Sequence, residues 1–281
     1  AGEIQKIDLL NVEQQAYHST GTCTFYGTAN TNQLIAEAMG FQLPGTAFTP
    51  TESPVREYLN KESLEALMRL MDSEIGLGEM LDIKNWMNAL IVLLASGGST
   101  NLVIHLIAMA RSAGYILTIE DFNDLSSIIP LLCQVYPNGT ADVNEFHSEG
   151  GIARLLSNLM EGDLIYKDIE TVAGFGLESY TKIPYIDKKN AKNLKWKDLD
   201  QNQNTKSIST IDNPFKCNGG IKFIGGDIAE GVIKVSALKD ENEIIVAPAK
   251  VFLSQEDVLD AFKNGALDSD LFIVLLGQSP E

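Results

Sequence analysis

Up to residue 182, apolar side chains recur every three or four positions, the spacing that gives a helix one dry face. Leu34, Ile35, Ala38 and Met39 form one such set, with Asn30 or Thr31 as the expected N-cap and Gly40 as the stop. Pro44-Gly45 turns the chain away, and Ser53-Pro54 opens another helix whose apolar side runs from Val55 and Leu59 to Met68 and Met71. A shorter helix is expected within residues 1–20.

Residues 86–95 are nearly all apolar, and periodicity alone does not separate a buried helix from a buried strand there. The scarcity of β-branched residues favours helix. Ser96-Gly97-Gly98-Ser99-Thr100-Asn101 then breaks the pattern and opens a helix to about Ala113, with Gly114 as its stop. Thr118 and Ser148 are expected helix starts, and Pro137-Asn138-Gly139 is a turn.

After residue 182 the pattern changes. Residues 183–213 are polar, rich in Asn and Lys and without periodicity, which reads as a linker or long surface connection. Short runs at 221–224, 231–236 and 244–247 read as strands, with Gly225-Gly226-Asp227 as a hairpin turn. Ser254 and Asp257 have capping-box spacing for a helix ending at Asn264-Gly265, before a strand at 271–276. The expected class is α/β. It comprises an incomplete helix-rich α/β domain over 1–182, a linker over 183–213, and the start of a β-rich, barrel-like domain over 214–281.

Composition narrows the function classes. The 281 residues are 44% hydrophobic and 21% charged, ordinary for a globular protein able to bury a sizeable core. No run approaches the ~20 apolar residues of a membrane span. The opening Ala1-Gly2-Glu3-Ile4 lacks a basic-then-apolar signal, so the cytoplasm is the default location. A net charge of −17 argues against nucleic acid or an anionic membrane as partner, because both need a basic surface. A small anionic substrate needs only a local site. The cysteines Cys23, Cys133 and Cys217 are odd in number and far apart, with no CxxC pair. They make no disulfide framework, and the chain alone cannot supply four thiolates to a cluster or zinc.

The candidate chemistry concentrates at Gly21-Thr22-Cys23-Thr24-Phe25-Tyr26-Gly27. A thiolate on a turn before a helix is stabilised by free backbone N–H groups and the dipole's positive end. The flanking hydroxyl residues are too polar for a core position, and the two glycines let backbone approach a bound group. Cys23 is therefore a candidate metal or cluster ligand, or a nucleophile. His18, five residues earlier, is placed to orient or neighbour whatever Cys23 binds. Ser99, Thr100 and Asn101 follow two glycines at a helix start, where N–H groups could face an anion. The same residues could equally make a tight helix–helix corner with Ser99 or Thr100 as cap. They are not a P-loop, because its lysine is missing. His105 reads as a core residue, His147 as a surface or cap residue, and Cys133 and Cys217 as packing or incidental thiols.

The runs GTCTFYGTANTNQ (21–33), ASGGSTN (95–101), YPNGTADVNEF (136–146) and TVAGFGLESYT (171–181) resemble those of the dihydroxy-acid/6-phosphogluconate dehydratase family. Phe25-Tyr26-Gly27 and Asn32-Gln33 are closer to its phosphogluconate branch. The resemblance implies a hydro-lyase of the Entner–Doudoroff route, converting 6-phospho-D-gluconate to 2-dehydro-3-deoxy-6-phosphogluconate and water. It also implies a 4Fe-4S cluster whose open iron acts as Lewis acid on the C3 hydroxyl while a base removes the C2 proton. Cys23 matches one cluster ligand, and the full-length enzyme is expected to be a cytoplasmic homodimer. Ser99, Thr100, Asn101 and His18 are our own candidates for holding the substrate's carboxylate or phosphate.

The family keeps its other cluster cysteines upstream of this segment and its base downstream. Where it tends to carry Arg and then Gly-Pro, this chain has Leu276 and Ser279-Pro280. The chain thus resembles roughly the middle half of such an enzyme, expected to be inactive alone, with an exposed apolar face where further strands would pack. Two alternatives stand beside this reading. One is a dihydroxy-acid or other sugar-acid dehydratase, and the other is a non-catalytic remnant or partner subunit.

Overall fold

The computed structural model describes residues 5–15, 23–187, 193–227, 230–238 and 244–277. The chain divides into two compact units, Ala1–Ala237 and Leu238–Glu281.

The first unit holds nine of the ten α-helices among the described residues: α1 (Lys6–Gln15), α2 (Thr28–Ala38), α3 (Pro54–Asp72), α4 (Leu77–Met80), α5 (Ile83–Ala95), α6 (Asn101–Ser112), α7 (Ile119–Ser126), α8 (Val143–Ser148) and α9 (Gly151–Glu161). The apolar run at 86–95 is helical and lies in α5. Every residue from Leu90 to Ala95 is buried, as a helix apolar all round requires. Leu34, Ile35 and Ala38 of α2 pack into the same core. Two buried amides fix α5 to its neighbours. Asn85 donates to Met39 O at 2.9 Å, and Asn88 donates to Tyr166 O at 2.9 Å while accepting from Tyr166 N–H at 3.0 Å.

Several expected boundaries move for local reasons. Helix α2 begins at Thr28, ahead of the expected caps, because Asn30 and Thr31 turn their side chains back on the preceding backbone. Ser148 ends a helix instead of starting one. Asp142 caps α8, accepting from Glu145 N–H at 2.8 Å, and α9 begins only after Gly150, whose φ of +107° resets the chain. His105, expected in the core, is exposed on α6. Ser53 caps α3 as expected, yet Leu64, Leu67, Met68 and Met71 on its apolar side are exposed, and only Leu59 and Ala66 are buried.

The described parts of 183–213, a stretch read as a linker or long surface connection, include a hairpin and bonded loop segments. After the small β1 (Glu170–Thr171) and β2 (Gly174–Phe175) pair, β3 (Ile183–Ile186) and β4 (Leu194–Lys197) form an antiparallel hairpin, and Trp196 Nε1 donates to Pro44 O at 2.9 Å. Further on, Gln134 N–H donates to Ser207 O and Ser209 N–H donates to Leu132 O. Buried Glu149 accepts from the N–H groups of Lys206 and Ser207 at 2.8 and 2.9 Å. This polar sequence is thereby bonded onto the first unit mainly through backbone groups, which composition does not reveal. Strands β5 (Ile221–Gly225) and β6 (Glu230–Lys234) form the expected hairpin.

In the second unit β7 (Ala249–Phe252) and β8 (Phe272–Leu275) pair in parallel, joined by α10 (Gln255–Lys263). Ser254 caps α10 as read from the sequence, accepting from Asp257 N–H at 3.1 Å. The expected strand at 244–247 is absent. Pairing starts after Pro248, which has no N–H to give and serves only as acceptor for Phe272 N–H at 2.8 Å. Val251, Leu259, Phe262 and Ile273 are exposed. The four sheets are each two-stranded and none closes among the described residues, so the class is α/β without a demonstrated barrel.

Candidate functional site

Three of the four sequence runs converge around the start of α2. Tyr26 N–H donates to Tyr136 O at 2.9 Å, and Val143 N–H donates to Thr24 O at 3.3 Å, so residues 136–146 brace the cysteine turn from behind. The Tyr26 hydroxyl donates to Ser96 Oγ at 2.8 Å, and Asn138 donates to Gly97 O at 2.7 Å. The fourth run serves the other end of α2. Val172 N–H donates to Gly40 O, and the Tyr180 hydroxyl donates to Gln42 O at 2.8 Å. Eleven residues of helix, about 16 Å, separate that end from the cysteine turn.

Cys23 is exposed. Asn30 donates to the carbonyls of Cys23 and Phe25 at 2.9 and 2.7 Å, which holds the turn in shape, and the thiol lies 3.5 Å from Phe25 O. Four residues separate it from the first helical position at Thr28, so it sits on the loop leading to α2 and not in its first turn. Cys23 lines a small cleft of about 70 Å³ whose other walls include Asn30, Gln33, Thr49 and Arg56.

The far wall is the loop between α2 and α3, shaped from beneath by Glu37. That buried carboxylate accepts from the N–H groups of Gly45 and Ala47 at 2.6 and 2.7 Å. Burial pushes its pKa up to about 7, against the pull of those donors and of Arg56. Arg56 straps the same loop. Its Nε donates to Thr49 O at 3.2 Å, and its Nη2 donates to Thr46 O at 2.7 Å and to Thr49 O. Phe48 of the loop meets Phe146 edge-on, with centroids 5.4 Å apart. His147, half-buried nearby, is held below its ordinary pKa by burial and then by the Arg56 charge.

Ser99, Thr100 and Asn101 stand on another face of α2. Ser99 Oγ and Thr28 Oγ1 are 3.1 Å apart, Asn101 donates to Thr28 Oγ1 at 2.8 Å, and Ser99 N–H donates to Thr31 Oγ1 at 3.1 Å. Thr100 occupies the N-cap position of α6 with no side-chain cap bond. At ~100° per residue, Thr28 and Thr31 point well away from Asn30 and Gln33. The structure therefore joins 99–101 to the start of α2 but not to the Cys23 cleft, and it ties up much of their hydrogen-bonding capacity in the helix corner. His18, Gly21 and Thr22 lie outside the described residues. Cys133 is fully buried, where burial raises its pKa, and fits the packing role read for it, whereas Cys217 is exposed.

Sequence reasoning missed Arg56, Gln33 and Thr49 as cleft residues. One signal was available for Arg56. A cation in the first turn of a helix opposes the dipole, so its presence there asks for another reason.

An iron–sulfur cluster needs several thiolates. Exposed Cys23, on a turn open to a polar cleft, fits as one ligand. Among the described residues, no group of three or more His, Cys, Asp or Glu could hold a metal ion, so the remaining ligands would have to come from elsewhere. No helix of the described residues is long and apolar enough to cross a membrane.

Fold and cleft describe an α/β protein with an exposed cysteine, Cys23, beside a polar cleft. Its sequence matches the family model for dihydroxy-acid/6-phosphogluconate dehydratase N-terminal domains over residues 1–180, and the C-terminal model over residues 206–281. The chain belongs to this family. It is 42% identical to a phosphogluconate dehydratase of Escherichia coli K12, an alignment covering 100% of this chain and 47% of that protein. A phosphogluconate dehydratase of Helicobacter pylori J99 is also 42% identical, over 100% of this chain and 46% of its own length. A dihydroxy-acid dehydratase of Sulfurisphaera tokodaii is 34% identical, over 100% and 48%. The chain thus spans about half the length of the curated relatives it matches. The family models meet near the 183–213 stretch, whereas chain compaction divides at 237/238.

Proposed function

We propose that this chain is part of a phosphogluconate dehydratase, a hydro-lyase that removes water from 6-phospho-D-gluconate to give 2-dehydro-3-deoxy-6-phosphogluconate. Identity of 42% to enzymes of that name, against 34% to a dihydroxy-acid dehydratase, supports the branch. The observation that carries the reading is Cys23, exposed at a polar cleft and braced by two other runs shared with the family.

In this reading Cys23 is one ligand of a 4Fe-4S cluster, which when bound supplies a Lewis acid for the departing hydroxyl. The chain's own contribution is positional. Asn30 fixes the carbonyls around Cys23 so that the sulfur faces outward. The buried Glu37 and Arg56 hold the opposite wall. Ser99, Thr100 and Asn101 remain a proposed anion-binding group on the neighbouring face of α2, and His18, outside the described residues, is proposed to act with them. The base, a homodimer, a cytoplasmic location and a barrel-like C-terminal part belong to the whole enzyme in this proposal.

The test is anaerobic reconstitution of the whole gene product with iron and sulfide, followed by assay of 2-keto acid from 6-phosphogluconate and from 2,3-dihydroxyisovalerate. Turnover of the phosphorylated acid, with iron uptake impaired in Cys23→Ser, is expected. Preference for dihydroxyisovalerate would move the protein to the other branch. Full iron uptake by Cys23→Ser would remove Cys23 from the site.

A further inference from the structure

The geometry points to Arg56 as the residue that docks an anionic group of the substrate, a carboxylate or a phosphate, in the Cys23 cleft. This deepens the dehydratase reading and rests on it. Arg56 and Cys23 line the same cavity, so a group held by one lies beside the other.

The arginine is fixed but not neutralised. Its Nε and Nη2 are anchored on the carbonyls of Thr46 and Thr49, which orient the guanidinium without cancelling its charge. Nη1 has no partner among the described residues, and no carboxylate there forms an ion pair with Arg56. Burial lowers the Arg56 pKa from its ordinary value and the nearby Glu37 charge opposes that shift, while Glu37's own oxygens are engaged by Gly45 and Ala47 N–H. The side chain is partly withdrawn from water, where a charge-assisted hydrogen bond is stronger than on an open surface. Its field reaches His147, which it helps keep neutral. In a chain of net charge −17, a pre-oriented cation with an unused N–H edge in a cleft is an unusual feature.

The cleft, of about 70 Å³, is roomy enough for the anionic end of an acid, since one water needs only ~10–15 Å³ on the same measure. Gln33 and Thr49 line the same cleft. The remainder of the acid would extend past Cys23 into solvent or toward other parts of the enzyme.

Calorimetric titration of the chain with inorganic phosphate, gluconate and 6-phosphogluconate tests this without any turnover. Wild type is expected to bind at least one of the three, and Arg56→Gln to bind it about tenfold more weakly or worse. Arg56→Lys, which keeps the charge but loses the fork, falls between. Gln33→Glu places a negative charge in the cleft on an exposed position, and it should weaken binding with an unchanged melting temperature even if Arg56→Gln folds poorly. Loss confined to phosphate and 6-phosphogluconate assigns the phosphate, and equal loss of gluconate and 6-phosphogluconate assigns the carboxylate.

Unchanged affinity in Gln33→Glu and in a folded Arg56→Gln would overturn the inference. So would a wild type that binds none of the three. The two proposals fail separately. Arg56-independent binding in an active enzyme sinks this one alone, and Arg56-dependent binding without 2-keto acid formation sinks the dehydratase reading alone.

Discussion

Tyr26 gives its hydroxyl proton to Ser96 Oγ at 2.8 Å inside the core, joining the cysteine turn to the Gly-Gly turn 70 positions later. Burial raises the phenol's pKa far above the working range, so it stays a neutral donor. Tyr26→Phe keeps the ring and removes the bond. A loss of about 1 kcal/mol in urea unfolding is expected, since Ser96 retains its contact with Leu93 O. A variant as stable as wild type would deny that this bond matters.

Gly97→Ala should be far more damaging than its size suggests. Gly97 has φ +60°, and an added Cβ would lie 2.7 Å from Asn138 Nδ2 and 3.0 Å from Leu131 Cδ1. A cost of about 2–3 kcal/mol is expected from strain and displaced packing. Gly78→Ala, with nothing within 4 Å, is the control and should be neutral or slightly stabilising. Equal melting temperatures for the two variants would contradict the close approach.

Glu37 makes stability depend on pH. Folded Glu37 titrates near 7 and its ordinary value is 4.5, so between those values the folded chain holds a proton the unfolded chain has released. Its contribution is fully present below 4.5, declines as pH rises and levels off above 7. His147, depressed by burial, works in the opposite sense, so the informative quantity is the difference between wild type and Glu37→Gln. The variant turns an amide N–H toward backbone N–H groups and should cost about 1–3 kcal/mol at low pH. That gap should narrow between about pH 5 and pH 8 as wild type loses its advantage. A gap that widens would reverse the assignment.

Thiol labelling checks the three cysteines directly. Exposed Cys23 and Cys217 should react with an aromatic disulfide reagent in the native protein, and buried Cys133 only after denaturant is added. Mass spectrometry of the labelled peptides reads this. Early labelling of Cys133 would mean that its shell around Ala95 and Ile208 opens far more readily than its packing suggests.

The helices around the core could be read directly because each carries its own punctuation. Ser53 with Pro54, Thr118 with Asp121, and Ser254 with Asp257 are local caps, and a cap acts over three or four residues wherever the chain goes. Boundaries failed where a side chain chose a different local partner. Asn30 could cap a helix or reach back to Cys23 O, and only the folded turn selects the second. Within 183–213, the stretch 206–209 is held by backbone groups meeting 131–135 and Glu149, partners that its own polar sequence does not spell out.

Residue types and spacing were enough to single out Cys23 and the glycine–hydroxyl run at 96–101 as candidates, and to place the chain in its family, because each of these motifs is written in consecutive residues. Which of those motifs share a cavity was decided by the rotation of α2. Positions 28 and 31 face α6, whereas 30 and 33 face the cleft, and a helix separates neighbours in sequence by the angle of its turn. Arg56 meets Cys23 across that cleft because a buried carboxylate and two carbonyls fold the intervening loop, contacts between distant residues that no local pattern encodes.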